Sequence, residues 1–380
     1  MIPFLPYSRQ TLDDGDIAEV VRVLKSDYLT QGPEVAAFET ELAQHVGARY
    51  AVAVSSGTAA LHLAYMALDV GAGDEVLTTP NTFIATSNAA LYCGATPIFA
   101  DIDESSGLIT SKTLKNNITE KTKVIAPVDF AGTPTDMASI FSLAKKRGIH
   151  VVQDASHSLG ATYRDSTVGD CQYADMTILS FHPVKPMTTG EGGAITTNDE
   201  TLYKRLLQLR THGITREGMS QNPGPWYYEM TALGYNYRMT DIQAALGRSQ
   251  LRKLSGFIAD RRRIAKQYDH AFENCPFARP LQVPKDSVSG YHLYVLLIDF
   301  DRLACDRKTV MGRLKDLGIG TQVHYIPVYQ QPYYRQNCPQ NGLFPHTEAY
   351  YSKALSIPLY PTMSDRDIGR VTDAILSLNA

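Results

Sequence analysis

The stretch YAVAVSSGTAALHLAYMALD, residues 50–69, changes period at its middle. Its opening, YAVAVSS (50–56), is a short valine-rich run of the kind that forms a buried strand. The remainder, GTAALHLAYMALD (57–69), carries a helical pattern. Gly57 stands at the change, where the backbone must turn sharply. Strand candidates continue at EVLTT (75–79), TPIFAD (96–101), TKVIAPV (122–128), IHVVQD (149–154), ADMTILSF (174–181) and GAITT (193–197). Helical patterns such as DMASIFSLAKKRG (136–148) lie between several of them. Continuously apolar strands alternating with helices imply an α/β unit with a largely parallel, seven-stranded sheet covered on both faces.

Beyond residue 200 the pattern changes. Residues 239–273 read as two long helices, MTDIQAALGRSQLRKL and GFIADRRRIAKQYDHAF. A strand YHLYVLLIDF (291–300), a helix KTVMGRLKDLG, a strand IGTQVHY and a terminal helix from about residue 364 follow. The expected division is a large α/β domain over 31–250 and a small α+β domain over 251–380. Residues 1–30 are too short to fold alone and are expected to pack with the small domain, and NPGPW (222–226) reads as a loop. A chain of 380 residues exceeds the roughly 250–300 at which one core stops growing, so two packed units are expected.

A formal charge of −3 gives no reason to expect nucleic acid or an anionic membrane as partner. The five cysteines are scattered and never form CxxC, which argues against a disulfide framework or a structural zinc site and fits a reducing cytoplasm. No metal is expected. MIPFLPYSRQ lacks a basic segment followed by an apolar core, so no signal peptide is expected. No apolar run approaches the ~20 residues of a membrane span.

In parallel sheets ligands gather at the carboxyl ends of strands, and three motifs stand there. In SSGTAAL (55–61) a strand ends and a helix begins at Gly57-Thr58, offering free amides and a helix dipole to a phosphate. Capping by Ser56 or Thr58 explains the same residues. No GxxxxGK[ST] occurs, and GAGDEV (71–76) precedes a strand and lacks the third glycine of a dinucleotide fingerprint. In VVQDASH (151–157), Asp154 can reach a ligand and keep a ring nitrogen protonated, or simply cap a helix; His157 is equally readable as a packed histidine.

In SFHPVKPMTTGEGG (180–193), Ser180 ends a strand and Lys185 follows with no other basic residue nearby. A lysine in a dry pocket loses part of its preference for the charged form and can attack an aldehyde, although pairing with an acid is the plainer alternative. Gly192-Gly193 would let the backbone turn closely into the next strand. A phosphate cradle, a strand-end carboxylate and a secluded amine together match pyridoxal 5′-phosphate. Phe83, in PNTFIATSNAA, could cover a ring face, or be an ordinary core residue.

The sequence resembles the fold-type I, pyridoxal-phosphate-dependent nucleotide-sugar aminotransferases of the DegT/DnrJ group. The matching stretches run in family order along nearly the whole chain, among them LTQGPEVAAFE, AVSSGTAAL, DASHSLGA, SFHPVKPMTTGEGGAI and GYNYRMTDIQAALG. The resemblance implies that Lys185 binds the cofactor aldehyde and that Asp154 pairs with the ring nitrogen. It places Phe83 against the ring, His157 near the ring hydroxyl, and Gly57, Thr58 and Ser180 on the phosphate. Asn236 would reach the cofactor phosphate of a neighbouring subunit, which implies a homodimer with shared sites.

Within the family, PGPWYYEMTALGYNYRMTDIQAALG and YSRQTLDDGDIAEVVRVLKSDYLTQGP look most like the pseudaminic acid branch. That branch takes a UDP-4-keto sugar, UDP-2-acetamido-2,6-dideoxy-β-L-arabino-hex-4-ulose, and L-glutamate. Tyr7, Asp27, Tyr28, Leu29, Thr30, His324 and Tyr325 match positions that line its sugar-nucleotide pocket. A dehydratase of the same family would carry histidine at position 185, and a serine–lysine hydrolase would need an SxxK spacing that Ser180 and Lys185 do not have.

Overall fold

The computed structural model describes residues 3–221, 223–338 and 342–379; Met1, Ile2 and Asn222, the first residue of the NPGPW loop, lie outside them. Seven strands form the central sheet: β1 (Tyr50–Val54), β2 (Glu75–Thr78), β3 (Thr96–Phe99), β4 (Thr122–Ile125), β5 (His150–Asp154), β6 (Met176–Ser180) and β7 (Gly193–Thr197). Their order is β1-β7-β6-β5-β4-β2-β3. Only β7 runs against the others, pairing antiparallel with both β1 and β6. The strands are buried on both faces, with Val52, Val54, Val124, Val152 and Ile178 in one core cluster and Ala51, Ala53, Leu179 and Ala194 in another. That burial is why they read as continuous apolar runs.

One antiparallel strand among six parallel ones has a local consequence. Gly193 pairs with Val54 on one side and Ser180 on the other, so β7 begins where β1 and β6 end. A Cβ on Gly193 would lie 2.6 Å from the backbone of Ser56 and Gly57. Glycine is therefore required by space here.

The two helices expected over 239–273 are one continuous helix, Asp241–Phe272, while α1 spans Asp14–Leu24, α2 Gly57–Ala67 and this long helix is α3. The two expected helices part at Ser255, with Gly256 opening the second. Gly256 instead faces solvent, and a Cβ there would meet nothing within 4 Å. The first half of α3 packs Ala244, Leu251, Leu254 and Ile258 into a large-domain core, and the second half packs Ile264, Ala265, Tyr268 and Phe272 into the small-domain core. The boundary drawn at 250/251 thus falls inside a shared helix.

The small domain holds an antiparallel sheet of β8 (Ala278–Pro280), β9 (Tyr294–Ile298) and β10 (Ala354–Ile357). IGTQVHY does not form a regular strand, because it finds only isolated bridge partners, Leu5 for Ile319 and Ser356 for Gln322. The N-terminal segment divides: Leu5 enters the small-domain core, while α1 lies on α3, where Gln250 Nε2 donates to Asp16 Oδ2 at 2.8 Å.

Two glycine substitutions test this packing with opposite signs. Gly193→Ala should lower thermal stability by about 1–3 kcal/mol, because backbone must move to admit the methyl group. Gly256→Ala, exposed mid-helix, should raise it by about 1 kcal/mol. Thermal denaturation of the cofactor-free protein reads both; a Gly193→Ala variant as stable as the parent would contradict the close approach.

Candidate active site

The carboxyl ends of β1, β2, β5 and β6 open onto a cavity of about 700 Å³. Ser56 caps α2 by accepting from Ala59 N at 3.1 Å. The amides of Gly57 and Thr58, in the cavity wall, belong to the first turn and have no intrahelical acceptor. A Cβ on Gly57 would lie 3.0 Å from Ser180 Cβ and 3.2 Å from Ser180 Oγ. The amides, the Ser180 hydroxyl and the positive end of α2 therefore share one small volume suited to a phosphate.

Asp154 ends β5 and is buried. Its Oδ2 accepts from Thr86 Oγ1 at 2.7 Å, and its Oδ1 accepts from Ser156 Oγ at 2.6 Å and Ser156 N at 3.1 Å. These donors fix the carboxylate at the cavity wall. His157, one turn on, is buried; its Nε2 lies 3.2 Å from the Tyr325 hydroxyl while Nδ1 has no partner. Burial holds its imidazole well below the ordinary range, with Lys185 adding to the effect.

Lys185 is half-buried and, among the described residues, belongs to no ion pair. Burial pulls its ammonium down to about 8, with the Asp154 carboxylate acting in the opposite direction. About a tenth of the amine is therefore neutral at pH 7, far more than for a solvated lysine, as a nucleophilic amine requires. Phe83 stands in the wall, 56% exposed, with its ring 6.1 Å from that of Tyr325. Its exposed surface in the wall is available to a flat ligand.

Tyr7, His324 and Tyr325 also line the cavity. His324 Nδ1 lies 2.8 Å from Ser356 Oγ, and burial pushes its imidazole down to about 3. Asn236 and the segment Asp27, Tyr28, Leu29 and Thr30 are exposed and do not belong to the cavity wall formed by their own chain. The structure adds residues that sequence reading missed: Thr86 and Ser156 on Asp154, and buried His292, whose ring is 4.4 Å from that of His157. Thr86 and Ser156 sit inside motifs already singled out, but nothing local marks them as carboxylate partners.

Among the described residues lining the cavity, Lys185 is the sole lysine or arginine. The site offers amides and hydroxyls for a phosphate, a fixed carboxylate for a protonated ring nitrogen, and an unpaired imidazole nitrogen for a ring hydroxyl. A dry amine completes it for an aldehyde. Pyridoxal phosphate carries these groups on one ring, and the orphaned His157 Nδ1 and the close Gly57–Ser180 approach fit it.

The sheet order, the single antiparallel strand and this cavity are those of a pyridoxal-phosphate enzyme of fold type I, and the relatives identify an aminotransferase. The structure of Helicobacter pylori PseC, an aminotransferase involved in the biosynthesis of pseudoaminic acid, superposes with a TM-score of 0.91 at 34% identity, covering 99% of each chain. That of the putative sugar aminotransferase Spr1654 from Streptococcus pneumoniae, in its PLP form, superposes with a TM-score of 0.91 at 30% identity, covering 99% of this chain and 98% of that one. The spore coat polysaccharide biosynthesis protein SpsC of Bacillus subtilis is 42% identical over 376 residues, 98% of this chain and 96% of that protein. The model of the DegT/DnrJ/EryC1/StrS aminotransferase family matches residues 10–376, and the chain belongs to that family.

The state of Lys185 can be measured without turnover. In cofactor-free protein, competitive acetylation of Lys185 followed by mass spectrometry should titrate with a midpoint near pH 8. In Asp154→Asn the midpoint should fall further, since the carboxylate favours the ammonium. A midpoint near the ordinary 10.5 in the parent protein would show that the amine is wet.

Proposed function

We propose that this sugar aminotransferase moves the amino group of L-glutamate to the 4-keto carbon of UDP-2-acetamido-2,6-dideoxy-β-L-arabino-hex-4-ulose. The products would be UDP-4-amino-4,6-dideoxy-N-acetyl-β-L-altrosamine, a pseudaminic acid precursor, and 2-oxoglutarate. The observation that carries the substrate assignment is the end-to-end likeness to PseC. A second reading is the same transfer onto another nucleotide-linked 4-keto-6-deoxy sugar, of the bacillosamine or perosamine type. It draws support from the 42% identity to SpsC, named for spore coat polysaccharide biosynthesis.

When bound, pyridoxal phosphate would supply an aldehyde to capture the donor amine and a protonated ring to draw electrons from the substrate carbon. Lys185 would hold that aldehyde at rest. Its neutral Nζ would also be the base that takes the proton from the amine-bearing carbon and later returns one. Asp154, held by Thr86 and Ser156, would keep the ring nitrogen protonated. Phe83 would cover one ring face and His157 would bond the ring hydroxyl. Gly57, Thr58 and Ser180 would hold the phosphate, and Tyr7, His324 and Tyr325 would face the sugar side.

The reading includes a homodimer. Residues 27–30 are exposed and anchored at the start of α3, where Thr30 bridges Thr240 and Asp241 N donates to Leu29 O at 3.0 Å; Asn236, four residues before Thr240, is exposed as well. A second copy docked there would receive Asn236 on its phosphate and residues 27–30 on its sugar nucleotide. Lys185→Ala and Asn236→Ala, each inactive alone, should then recover activity when mixed, because a hybrid dimer carries one site with both residues intact. No recovery after confirmed subunit exchange would remove the shared site.

The substrate is tested by a half-reaction. The enzyme is charged with L-glutamate, freed of it, and given the UDP-linked 4-keto sugar of the L-arabino series or its D-xylo epimer. Return of the visible absorbance of the starting enzyme with the L-arabino sugar alone is the expected result. Return with the D-xylo sugar alone would transfer the enzyme to the second reading.

A further inference from the structure

Beneath the cavity wall lies a second carboxylate with no role in the chemistry above. Asp129 follows β4, is fully buried, and, among the described residues, meets no lysine or arginine at ion-pair distance. An unpaired buried carboxylate is costly, and an amide of the same shape would avoid the cost. What an amide cannot do is accept on both sides at once. Asp129 does this: Oδ2 accepts from Ser158 Oγ at 2.6 Å and from Gln153 Nε2 at 2.8 Å, and Oδ1 accepts from Thr135 N at 3.1 Å.

The two side-chain donors bracket the turn that carries the cofactor residues. Gln153 immediately precedes Asp154, and Ser158 immediately follows His157. The backbones are joined as well, since Asp129 N donates to Asp154 O at 3.0 Å and Asp154 N donates to Pro127 O at 2.8 Å. Gln153 reaches onward, its Oε1 accepting from Thr177 Oγ1 at 3.3 Å on β6, the strand that ends at Ser180. One carboxylate thus links the chain after β4 to the end of β5 and, through Gln153, to the first half of β6.

We propose that Asp129 is a positioning residue of this aminotransferase, holding Asp154 and His157 at their spacing for the pyridoxal phosphate ring through its bonds to Gln153 and Ser158. It touches neither substrate nor cofactor and acts through the turn. Burial pushes its carboxyl up to about 7, partly countered by its donors, with the Asp154 charge adding to the rise. The two carboxylates, Asp129 and Asp154, therefore lie within electrostatic reach of each other.

The test uses Asp129→Asn and Ser158→Ala, with Val152→Ala as a buried control on the same strand. Cofactor affinity of the resolved protein is measured by equilibrium dialysis, and the visible spectrum of the loaded enzyme is titrated with pH. Losing one bond to a charged acceptor corresponds to about tenfold in an equilibrium constant, so Asp129→Asn and Ser158→Ala should each weaken cofactor binding by about that factor. The double variant should be little weaker than Asp129→Asn alone, because both changes break one connection. The spectral inflection should move to lower pH in Asp129→Asn, since a negative charge favouring protonated neighbours is gone. The control should lose thermal stability without moving either quantity. Unchanged affinity and inflection in Asp129→Asn, or equal shifts in Val152→Ala, would overturn the proposal. Should Asp129→Asn not fold, the affinity of Ser158→Ala alone decides it, an unchanged value counting against.

Discussion

No side chain fits between Gly193 and the Ser56–Gly57 peptide, and the active site is arranged around that contact. Because β7 is inserted antiparallel between β1 and β6, its first residue comes level with the last residues of both neighbours. The glycine lets the three strand ends close to backbone distance. Gly57 then approaches Ser180 closely enough that a methyl group on it would crowd the serine. The proposed phosphate cradle is a product of this double restriction on side chains: one glycine admits the strand, the other admits the hydroxyl. Wider spacing at either point would leave the amides of α2 and the hydroxyl of β6 addressing different volumes.

Electrostatics follows from the same compactness. The cavity wall holds one amine and several imidazoles, and burial disfavours the charged forms of Lys185, His157, His292 and His324, pushing Lys185 to about 8 and His324 to about 3. Asp154 works against this at Lys185, so the amine stays responsive around neutral pH. A second cation in the wall would depress the lysine further. The proposed phosphate cradle would accordingly use neutral donors and the α2 dipole, which attract an anion without placing a full positive charge beside the lysine.

The parts of this arrangement that were legible in the sequence are those fixed within a few residues. The seven strands announce themselves by burial on both faces, and Gly57, Asp154, Ser180 and Lys185 lie where apolar runs stop, so their gathering at one sheet edge follows from a parallel topology. Relations between distant segments were not legible. Nothing near Asp154 identifies Thr86 as its donor, 68 positions away. His292 reads as an ordinary strand residue until the small domain brings it to His157. The α3 misreading has a different origin. A glycine in a helix weakens it locally, but helices in folded proteins are held by tertiary packing, and one core grips α3 on both sides of Gly256, at Leu254 and Ile258, before a second takes over from Ile264.

Residues 235–237 show how an outward residue can be as firmly placed as an inward one. Tyr235 and Tyr237 stack on each other with ring centroids 5.1 Å apart, and both pack on buried His62 of α2, whose Nδ1 lies 3.2 Å from the Tyr237 hydroxyl. Alternate residues of an extended segment share a face, so Asn236 between them turns away from that cluster and is exposed. The backbone is held from two directions: Tyr237 O accepts from Ser55 N at 2.8 Å, and His212 N donates to Tyr235 O at 2.9 Å. Ser55 is the residue before the Ser56 cap of the phosphate cradle. The segment that presents Asn236 to the outside is therefore anchored to the cradle strand of its own chain and to the helix whose N-terminus serves that cradle. Rigidity built for one ligand site extends, within three residues, to the surface that would complete another.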